Sequence, residues 1–514
     1  MNGAESLVTT LVKSGVDVCF GNPGTSEMHF VATLDRVDGM RAVLCLFEGV
    51  VTGAADGYGR MAGKPAATLL HLGPGLGNGW ANLHNARRAG SPILNVVGDH
   101  AKFHLQYDAP LTSDVTALAR TCSGWVHTSI NAKSVASDGA RAVQAARATP
   151  GQIATLILPA DTAWDEADFP ADPLPVAAPP AVASETVDAV AKLLRTGKRA
   201  AILIRGAGLL KQGLEAAGRV AEATGAKLIC DTFVPRLQRG AGIVEIERIP
   251  YFAEQIVDFL AGYETLVLVG GQPPVSFFAY PGKPSWCTPD GARIIYLAQP
   301  HEDQIGALEA LAEAVGAPAQ PTKRAALRLP EAPTGHLNQA TAAMAIARHL
   351  PEGAVIIDEA ATSGLAPYGF TSTAAPHDYL GLTGGSIGWG LPVAVGAAVA
   401  SPDRKVVCLH GDGGAMYTIQ ALWTQAREKL DVINVIFANR SYAILNIELM
   451  RVGAGNGGPK ALSMLDIGSP TMDFVKLAEG MGVAASRATT AEEFDAQFAD
   501  AVKQRGPRLI EVVI

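Results

Sequence analysis

Short apolar segments rich in β-branched residues alternate with longer amphipathic segments along almost the whole chain of 514 residues. Apolar runs of this kind are typical of parallel strands that are buried on both faces, and the longer segments between them predict helices. The chain is therefore predicted to be an α/β protein with doubly wound parallel sheets. The predicted strands are VDVCFG, AVLCLF, AATLLHL, SPILNVVG and ATLILPA, then AAILIRG, AKLICD, TLVLVGG and RIIYLA, and finally AVIIDE, KVVCLHG, INVIFAN and PRLIEVVI.

Two segments interrupt this alternation. Residues 168–184 are rich in Pro and Ala, and residues 317–335 mix Pro with polar side chains, so both predict linkers. They divide the chain into three predicted α/β domains, residues 1–167, 185–316 and 336–514, each of ordinary domain size.

The composition excludes several classes of function. The chain is 48% hydrophobic and 18% charged, which is typical of a soluble globular protein. Its net charge is -8 and it has no basic stripe, so no nucleic-acid partner is expected. No apolar run approaches the roughly 18 residues that span a bilayer, and the N-terminus does not resemble a signal peptide. The six scattered cysteines indicate reduced, buried thiols, and the expected compartment is the cytoplasm.

The loops that follow the strands are the expected ligand-binding segments, because doubly wound sheets bind ligands beyond the carboxyl ends of their strands. In the segment HGDGG, Asp412 follows one strand, and Asn439 follows the next strand along the chain. The two side chains can therefore lie side by side. A carboxylate, an amide oxygen and a backbone carbonyl suit a Mg²⁺ ion that holds a diphosphate. Gly413 and Gly414 would let the backbone approach the phosphates.

Three further strand ends carry polar groups. Thr25 lies in FGNPGTSE, Glu48 ends an apolar strand, and His71 ends the next one. These residues also have non-catalytic interpretations. Glu48 could be a helix-start residue that the helix dipole favours, and His71 could be a hydrogen-bonded core histidine. Gly-Asp-Gly around Asp412 could be an ordinary turn. The segment RGAGLLKQG holds only part of a dinucleotide-binding motif and is interpreted as structural.

Taken together, these motifs resemble those of thiamine-diphosphate-dependent enzymes. The motif begins with GDG at Gly411 and ends 28 positions later at Asn439, although Ala438 replaces the first of the two usual asparagines. FGNPGT, EGVVTGAADGY, LLH and GGSIGWGLPVAVG are similar to stretches of the benzoylformate decarboxylases of that family. The resemblance covers the whole chain, in the order pyrimidine, central and diphosphate domain.

The resemblance implies a role for each cofactor-site residue. Glu48 would hydrogen-bond the pyrimidine ring of the cofactor. Ile387 would wedge the cofactor into its bent conformation, and the carbonyl of Gly385 would accept from the aminopyrimidine. The implied metal ligands are Asp412, Asn439 and the backbone oxygen of Ser441, and the implied diphosphate contacts are Thr362, Ser363, Gly413 and Gly414.

On the substrate side, the resemblance gives matches and departures. Thr25 matches a serine that contacts the substrate carboxylate, and His71 matches a catalytic histidine. Phe278 stands where the decarboxylases have a second histidine, which His100 or His104 could replace. Leu445 falls where pyruvate decarboxylases have an acidic residue, and Glu448 falls where an aromatic side chain lines the benzoylformate pocket.

The leading hypothesis is a non-oxidative decarboxylase that uses thiamine diphosphate and Mg²⁺ to convert a 2-oxo acid to CO₂ and an aldehyde. The alternative is an acetolactate-synthase-like carboligase, and a third possibility is a catalytically inactive binding protein of the same fold. FAD is not expected, because VGGQPPVSFF replaces the RFDDR-like stretch of the synthases. In the family, the residues matching Glu48 and Asp412 belong to different subunits of one site. The resemblance therefore implies at least a homodimer, and a homotetramer is expected.

Overall fold

The computed structural model describes residues 1–514 and contains three sheets. In the N-terminal domain, six parallel strands lie in the order β2-β1-β3-β4-β6-β5. The strands are β1 (Val18–Gly21), β2 (Arg41–Leu44), β3 (Ala66–Leu70), β4 (Ile93–Asp99), β5 (Trp125–Thr128) and β6 (Ile153–Pro159). The helices are α1 (Gly3–Lys13), α2 (Met28–Thr33), α3 (Glu48–Ala62), α4 (Leu72–Ala89), α5 (Val115–Arg120), α6 (Val135–Ala146) and α7 (Ala160–Trp164).

The central domain contains a five-stranded parallel sheet in the order β10-β8-β7-β11-β12. The strands of this region are β7 (Ala200–Ile204), β8 (Lys227–Cys230), β9 (Leu237–Arg239), β10 (Glu247–Arg248), β11 (Thr265–Val269) and β12 (Arg293–Ala298). The helices are α8 (Ser184–Leu194), α9 (Lys211–Thr224), α10 (Ala253–Leu260) and α11 (Gln304–Ala314).

The C-terminal domain has seven strands in the order β17-β18-β16-β15-β13-β14-β9. Its own strands are β13 (Val355–Glu359), β14 (His377–Gly381), β15 (Val406–Gly411), β16 (Val432–Ala438), β17 (Ala484–Ala488) and β18 (Arg508–Val513). Its helices are α12 (Gln339–His349), α13 (Leu365–Phe370), α14 (Gly390–Ala400), α15 (Asp412–Ala415), α16 (Ala421–Arg427), α17 (Ala443–Arg451), α18 (Pro459–Ser463), α19 (Phe474–Gly480) and α20 (Ala491–Lys503).

The predicted fold class is confirmed. Strand β9 comes from the central segment but pairs with β14 of the C-terminal sheet, and this pairing is antiparallel. Strand β9 is not among the predicted strands, because the three-residue segment LQR gives no apolar run that could reveal it. The predicted domain boundaries stay a prediction.

The six cysteines are buried and none forms a disulfide, as the sequence predicts. No helix of the chain combines the length and the apolar character needed to cross a membrane.

The N-terminal and C-terminal domains share one core, in which helix α3 crosses helix α14. Two glycines permit the close crossing. A Cβ atom on Gly396 would lie 1.7 Å from the carbonyl oxygen of Ala54, and one on Gly57 would lie 2.2 Å from that of Val393. The two helices begin at Glu48 and Gly390, so their packing fixes the relative position of two loops predicted to bind the cofactor.

We expect Gly396→Ala to destabilise the protein, because the methyl group would force α14 away from the backbone of α3. Overpacking of this kind costs about 1–3 kcal/mol. Thermal unfolding followed by circular dichroism should show a lower midpoint than the wild type. The matched control is Gly480→Ala, at the end of helix α19, where an added Cβ meets nothing within 4 Å. An unchanged midpoint for Gly396→Ala would contradict the close crossing.

Candidate active site

Asp412 and Asn439 meet at one edge of the C-terminal sheet. Strands β15 and β16 are adjacent, with Gly411 opposite Phe437. The carboxylate of Asp412 accepts hydrogen bonds from the backbone N–H of Gly413, at 2.9 Å, and from that of Arg440, at 2.6 Å. The chain thus ties the loop after β15 directly to the loop after β16.

The electrostatics of this edge suit a cation. Asp412 is only 3% exposed, and its carboxylate forms no salt bridge with a side chain of the protein. Burial raises the pKa of Asp412, while the backbone hydrogen bonds oppose that shift. A buried carboxylate without a counter-charge is costly. The side-chain oxygen of Asn439 accepts from the backbone N–H of Ser441 at 3.0 Å, so these two candidate ligands share one turn, and the N–H of Arg440 in that turn binds Asp412. Such an oxygen-only donor set fits Mg²⁺.

Glycines shape the floor beside Asp412. A Cβ atom on Gly413 would lie 2.4 Å from the ring of Tyr442, and one on Gly414 would lie 2.8 Å from Oε1 of Glu359. Both positions therefore require glycine, because Tyr442 and Glu359 already occupy the space of a side chain. The approach of a diphosphate to this backbone stays a prediction.

Glu359 is a structural residue of this edge that sequence reasoning missed. It ends strand β13 and accepts hydrogen bonds from the backbone N–H groups of Gly388, Trp389 and Gly390, at 2.6, 2.6 and 2.5 Å. His410 Nε2 lies 3.1 Å from its carboxylate. Burial lowers the pKa of His410, but the charge and hydrogen bond of Glu359, the backbone of Gly411 and the charge of Asp358 together outweigh burial and raise the pKa. The strand-end sequence DEAATSG contains Glu359 together with Thr362 and Ser363. The sequence interpretation used the two hydroxyls and overlooked the carboxylate.

The loop between β14 and α14 carries Gly385 and Ile387. Gly385 has φ of +75°, and a Cβ there would lie 2.4 Å from the ring of Phe277 in the central domain. The side chain of Asn85 on α4 accepts a hydrogen bond from the backbone N–H of Ser386 at 3.1 Å and donates one to the carbonyl of Ser386 at 2.8 Å. Ile387 packs on the shared core. All three domains therefore hold the loop that is predicted to carry the cofactor ring.

Thr362 and Ser363 follow strand β13, which lies next to β15, so they share an edge with Asp412. The Ser363 side chain is buried and that of Thr362 is half-buried.

Backbone strain concentrates beside these loops. Five non-glycine residues have positive φ, a region that L-residues seldom adopt. Three of the five adjoin candidate site residues: Leu72 follows His71, Ala361 precedes Thr362, and Arg440 follows Asn439. Because strain of this kind gathers at functional sites, its distribution supports these three loops as parts of one site.

Glu48 is the first residue of helix α3, so the helix-start interpretation describes its position correctly. Its carboxylate is 7% exposed and receives one hydrogen bond, from Asn78 Nδ2 at 3.0 Å. The side chain therefore keeps acceptor capacity for a further donor, which the functional interpretation requires.

His71 directly precedes helix α4 and is paired with a carboxylate that sequence reasoning missed. Its Nδ1 lies 2.9 Å from Oε2 of Glu27, which is buried and also accepts from the N–H of Gly24 at 2.7 Å. Ser26 Oγ lies 3.4 Å from the same ring nitrogen. Thr25 is exposed and its hydroxyl makes no hydrogen bond within the chain, so the contacts to His71 come from the two residues after it. The sequence signal for Glu27 was its position three residues after Gly24, where a glutamate can bind the backbone N–H at the start of a helix.

His100 and His104 lie at the same end of the N-terminal sheet. Leu70 pairs with Val97 in neighbouring strands, which brings the end of β4 beside His71. His100 follows β4 directly, and its ring stacks obliquely on that of His104 with 5.4 Å between centroids.

Two family models match the chain. The C-terminal TPP binding domain of thiamine pyrophosphate enzymes matches residues 362–512, and the N-terminal TPP binding domain of the same enzymes matches residues 1–118. Together they cover more than half of the chain. The chain belongs to the thiamine-diphosphate-dependent enzymes. The predicted family and enzyme class are thereby confirmed, and both terminal domains are of the type that binds thiamine diphosphate.

Individual relatives include both decarboxylases and synthases. The chain is 55% identical over 515 residues to a Mycobacterium tuberculosis protein that is provisionally named acetolactate synthase large subunit IlvX, with 100% of this chain and 99% of the relative covered. It is 30% identical to benzoylformate decarboxylase of Pseudomonas aeruginosa, with 98% and 97% covered. The solved 4-hydroxybenzoylformate decarboxylase of Rhodococcus jostii RHA1 superimposes with a TM-score of 0.83 at 25% identity, with 100% and 99% covered.

The position that matches the second histidine of the decarboxylases lies in an aromatic row. The ring centroid of Phe278 is 4.9 Å from that of Phe277, which in turn is 5.6 Å from that of Tyr251. Phe277, rather than Phe278, is the residue that approaches Gly385. A cavity of about 810 Å³ runs from Phe277 and Gly384 into the central domain.

Leu445 and Glu448 lie on helix α17, which follows the loop of the candidate metal ligands Asn439 and Ser441. Leu445 is exposed, while Glu448 pairs with Arg451 at 2.9 Å. Arg451 also binds Glu254 of the central domain at 2.6 Å. Glu448 therefore does not present an unpaired charge to the site.

We expect Asp412→Ala to lose Mg²⁺ and thiamine diphosphate together, because it removes the one carboxylate at the candidate metal site. Isothermal titration of the cofactor in the presence of Mg²⁺ should show about a hundredfold weaker binding, because a lost bond to a charged group costs roughly 1.5–3 kcal/mol and about 1.4 kcal/mol is a factor of ten in affinity. Asp412→Asn keeps an acceptor for the N–H of Arg440 and separates loss of charge from loss of that bond. Asp403→Ala, an exposed residue just before the same strand, is the control. Unchanged cofactor affinity in both Asp412 variants would remove the metal assignment.

Proposed function

We propose that the protein is a non-oxidative decarboxylase that uses thiamine diphosphate and Mg²⁺ to convert a 2-oxo acid to CO₂ and an aldehyde. The pair formed by His71 and Glu27 carries this proposal, because release of the aldehyde requires a positioned group that moves a proton. A histidine can do so near neutral pH, and the buried carboxylate fixes the orientation of its ring.

The cofactor end of the site would be held by groups that the fold already orients. Asp412, Asn439 and the backbone oxygen of Ser441 would hold the metal. Glu48 would hydrogen-bond a ring nitrogen of the bound cofactor and share a proton with it. The remaining proposed contacts are Thr362, Ser363, Gly385, Ile387, Gly413 and Gly414. Thiamine diphosphate, when bound, supplies the electron sink that allows the carboxylate of the substrate to leave as CO₂.

The substrate would lie between the N-terminal loops and the aromatic row of the central domain. The exposed hydroxyl of Thr25 would contact the substrate carboxylate, and His71 would hold or deliver a proton. Phe278 and Leu445 would give an apolar boundary on the opposite side, with Glu448 neutralised by Arg451. His100 and His104 remain proposed as further proton donors at the same strand ends.

Carboligation of the acetolactate-synthase kind is the second candidate. Two observations favour it. The relative with 55% identity carries that name, and the central domain has Phe278 at the position that the resemblance matches to a histidine of the decarboxylases. With fewer proton donors near the reacting carbon, attack on a second carbonyl compound would compete better with protonation.

We also propose that the working enzyme is at least a homodimer and is a homotetramer in its complete form. The carboxylate of Glu48 receives a hydrogen bond only from Asn78 of its own domain, which leaves it available to a cofactor held by the C-terminal domain of a second subunit.

A panel of 2-oxo acids with identified products tests the proposal. Pyruvate, benzoylformate, a branched-chain 2-oxo acid and an acidic one should each be incubated with the purified protein, thiamine diphosphate and Mg²⁺. We expect at least one of these 2-oxo acids to give CO₂ and the corresponding aldehyde, with the aldehyde identified by NMR. CO₂ with a 2-hydroxyketone or a 2-hydroxy-3-oxo acid instead of free aldehyde would favour the carboligase. Cofactor binding without turnover of any substrate would favour the inactive protein.

We expect Glu48→Gln to reduce turnover by about a hundredfold or more, the usual range for a group that acts in proton transfer. Glutamine keeps an oxygen for Asn78 but cannot carry the negative charge that the ring nitrogen needs. Cofactor affinity, measured by titration, should remain close to that of the wild type. Glu264→Gln, at an exposed ion pair with Lys198, is the matched control. Wild-type turnover in Glu48→Gln would refute the proposed role.

A further inference from the structure

A second cavity, of about 570 Å³, lies apart from the cavity beside Gly384. It is enclosed by helix α9 and strands β8 to β10 of the central region and by helix α13 of the C-terminal domain. None of the residues in the proposed active site lines it. Two arginines, Arg239 and Arg248, and one tyrosine, Tyr368, form its most polar wall.

The two arginines enclose the ring of Tyr368. The guanidinium carbon of Arg239 lies 3.8 Å from the ring centroid, and that of Arg248 lies 3.6 Å from it. Arg239 is only 8% exposed. Neither guanidinium forms a salt bridge or a hydrogen bond with any group of the chain, and Nη1 of Arg239 and the hydroxyl of Tyr368 are buried polar atoms without a hydrogen-bond partner. Burying a donor without a hydrogen-bond partner costs free energy. An acceptor bound at this wall would remove that cost.

The carboxylates around the cavity do not supply that acceptor. Glu222 accepts from the backbone N–H groups of Thr322 and Lys323, and Glu247 pairs with Lys227. Glu245 is exposed at the rim. Burial lowers the pKa of Arg248, but nearby acidic groups that include Asp358 outweigh burial and raise the pKa. No salt bridge joins Arg248 to Asp358, so neither arginine of the wall is paired with a carboxylate.

The charge of Arg239 also affects a histidine on the neighbouring strand β14. His377 lies opposite Arg239 in the pairing of β14 with β9. Burial, and after it the charge of Arg239, lower the pKa of His377 to about 3. The histidine is thus held neutral beside the arginine, and it adds no charge of its own to the wall.

We propose that this cavity binds a small molecule that carries a phosphate or carboxylate group, with the oxygens of that group held by Arg239, Arg248 and Tyr368. Guanidinium groups present pairs of N–H donors that match the oxygens of both anions, and charge-assisted bonds of this kind are the strong ones. Helix α13 begins at Leu365, two residues after Ser363. The bound anion would therefore contact the element that follows the proposed diphosphate loop.

Titration calorimetry on the holoenzyme tests this site. Thiamine diphosphate and Mg²⁺ are kept saturating, so that the added anion cannot report on the cofactor site, and the ionic strength is held constant with KCl. Inorganic phosphate and succinate are titrated separately. We expect saturable binding of at least one of them with one site per chain, and the anion that binds identifies the group that the natural ligand carries.

Variants locate the binding. Arg248 is half-buried, so Arg248→Gln should fold and should bind the anion at least tenfold more weakly, with Arg239→Gln giving the same result if it folds. Arg248→Lys keeps the charge and loses the paired donors, and we expect an intermediate affinity. Arg199→Gln is the matched control, because Arg199 stacks on Tyr263 at 4.2 Å in the same domain but does not line the cavity. No saturable binding of either anion by the wild type, or equal affinity in Arg248→Gln and Arg199→Gln, would overturn the proposal.

Discussion

A buried ion pair between Asp56 and Arg60 on helix α3 joins the three domains, with side chains 0% and 2% exposed. Both partners are fully hydrogen-bonded. Arg60 donates to Pro235 of the central segment and to Gly381 of the C-terminal domain, while Asp56 also accepts from the indole N–H of Trp389. A buried pair stabilises a fold only when its remaining donors and acceptors are satisfied, and here the satisfying groups come from all three domains. The pair therefore specifies how the domains are oriented.

That orientation determines the shape of the loop that leads into helix α14. The loop leaves β14 directly after Gly381, which Arg60 holds, and it enters the helix at Gly390, which Glu359 holds. Between these points Asn85 fixes Ser386 from the N-terminal domain. With both ends and the middle fixed, the chain can sustain the positive φ at Gly385. Gly385 is thereby held in the loop that is proposed to carry the cofactor ring.

The sequence predicts those features that follow from one strand and its adjoining loop. Asp412 and Asn439 could be placed together, because consecutive buried strands of one βαβ unit end at the same edge. Strand β14 could not be predicted, because its buried residues His377 and Asp378 break the apolar run, and Asp378 is accommodated only by ion pairs with Arg236 and Arg404. Glu27 was missed for a similar reason. Its partner His71 lies 44 residues away, so the pairing exists only in the folded sheet.

The pairing of His71 with Glu27 also bears on how the site could work. Glu27 is buried and its carboxylate is already bound by the N–H of Gly24, and Gly24 can lie against the imidazole only because it has no side chain, since a Cβ would come within 2.2 Å of the ring. The imidazole is therefore oriented before any substrate arrives, and the entropy of orienting it is lost on folding rather than in the reaction. In the proposed reaction, a proton-transfer group fixed in this way would act at one position of the substrate. Because the loop of Gly24 follows β1 and His71 follows the adjacent β3, the N-terminal sheet would set that position.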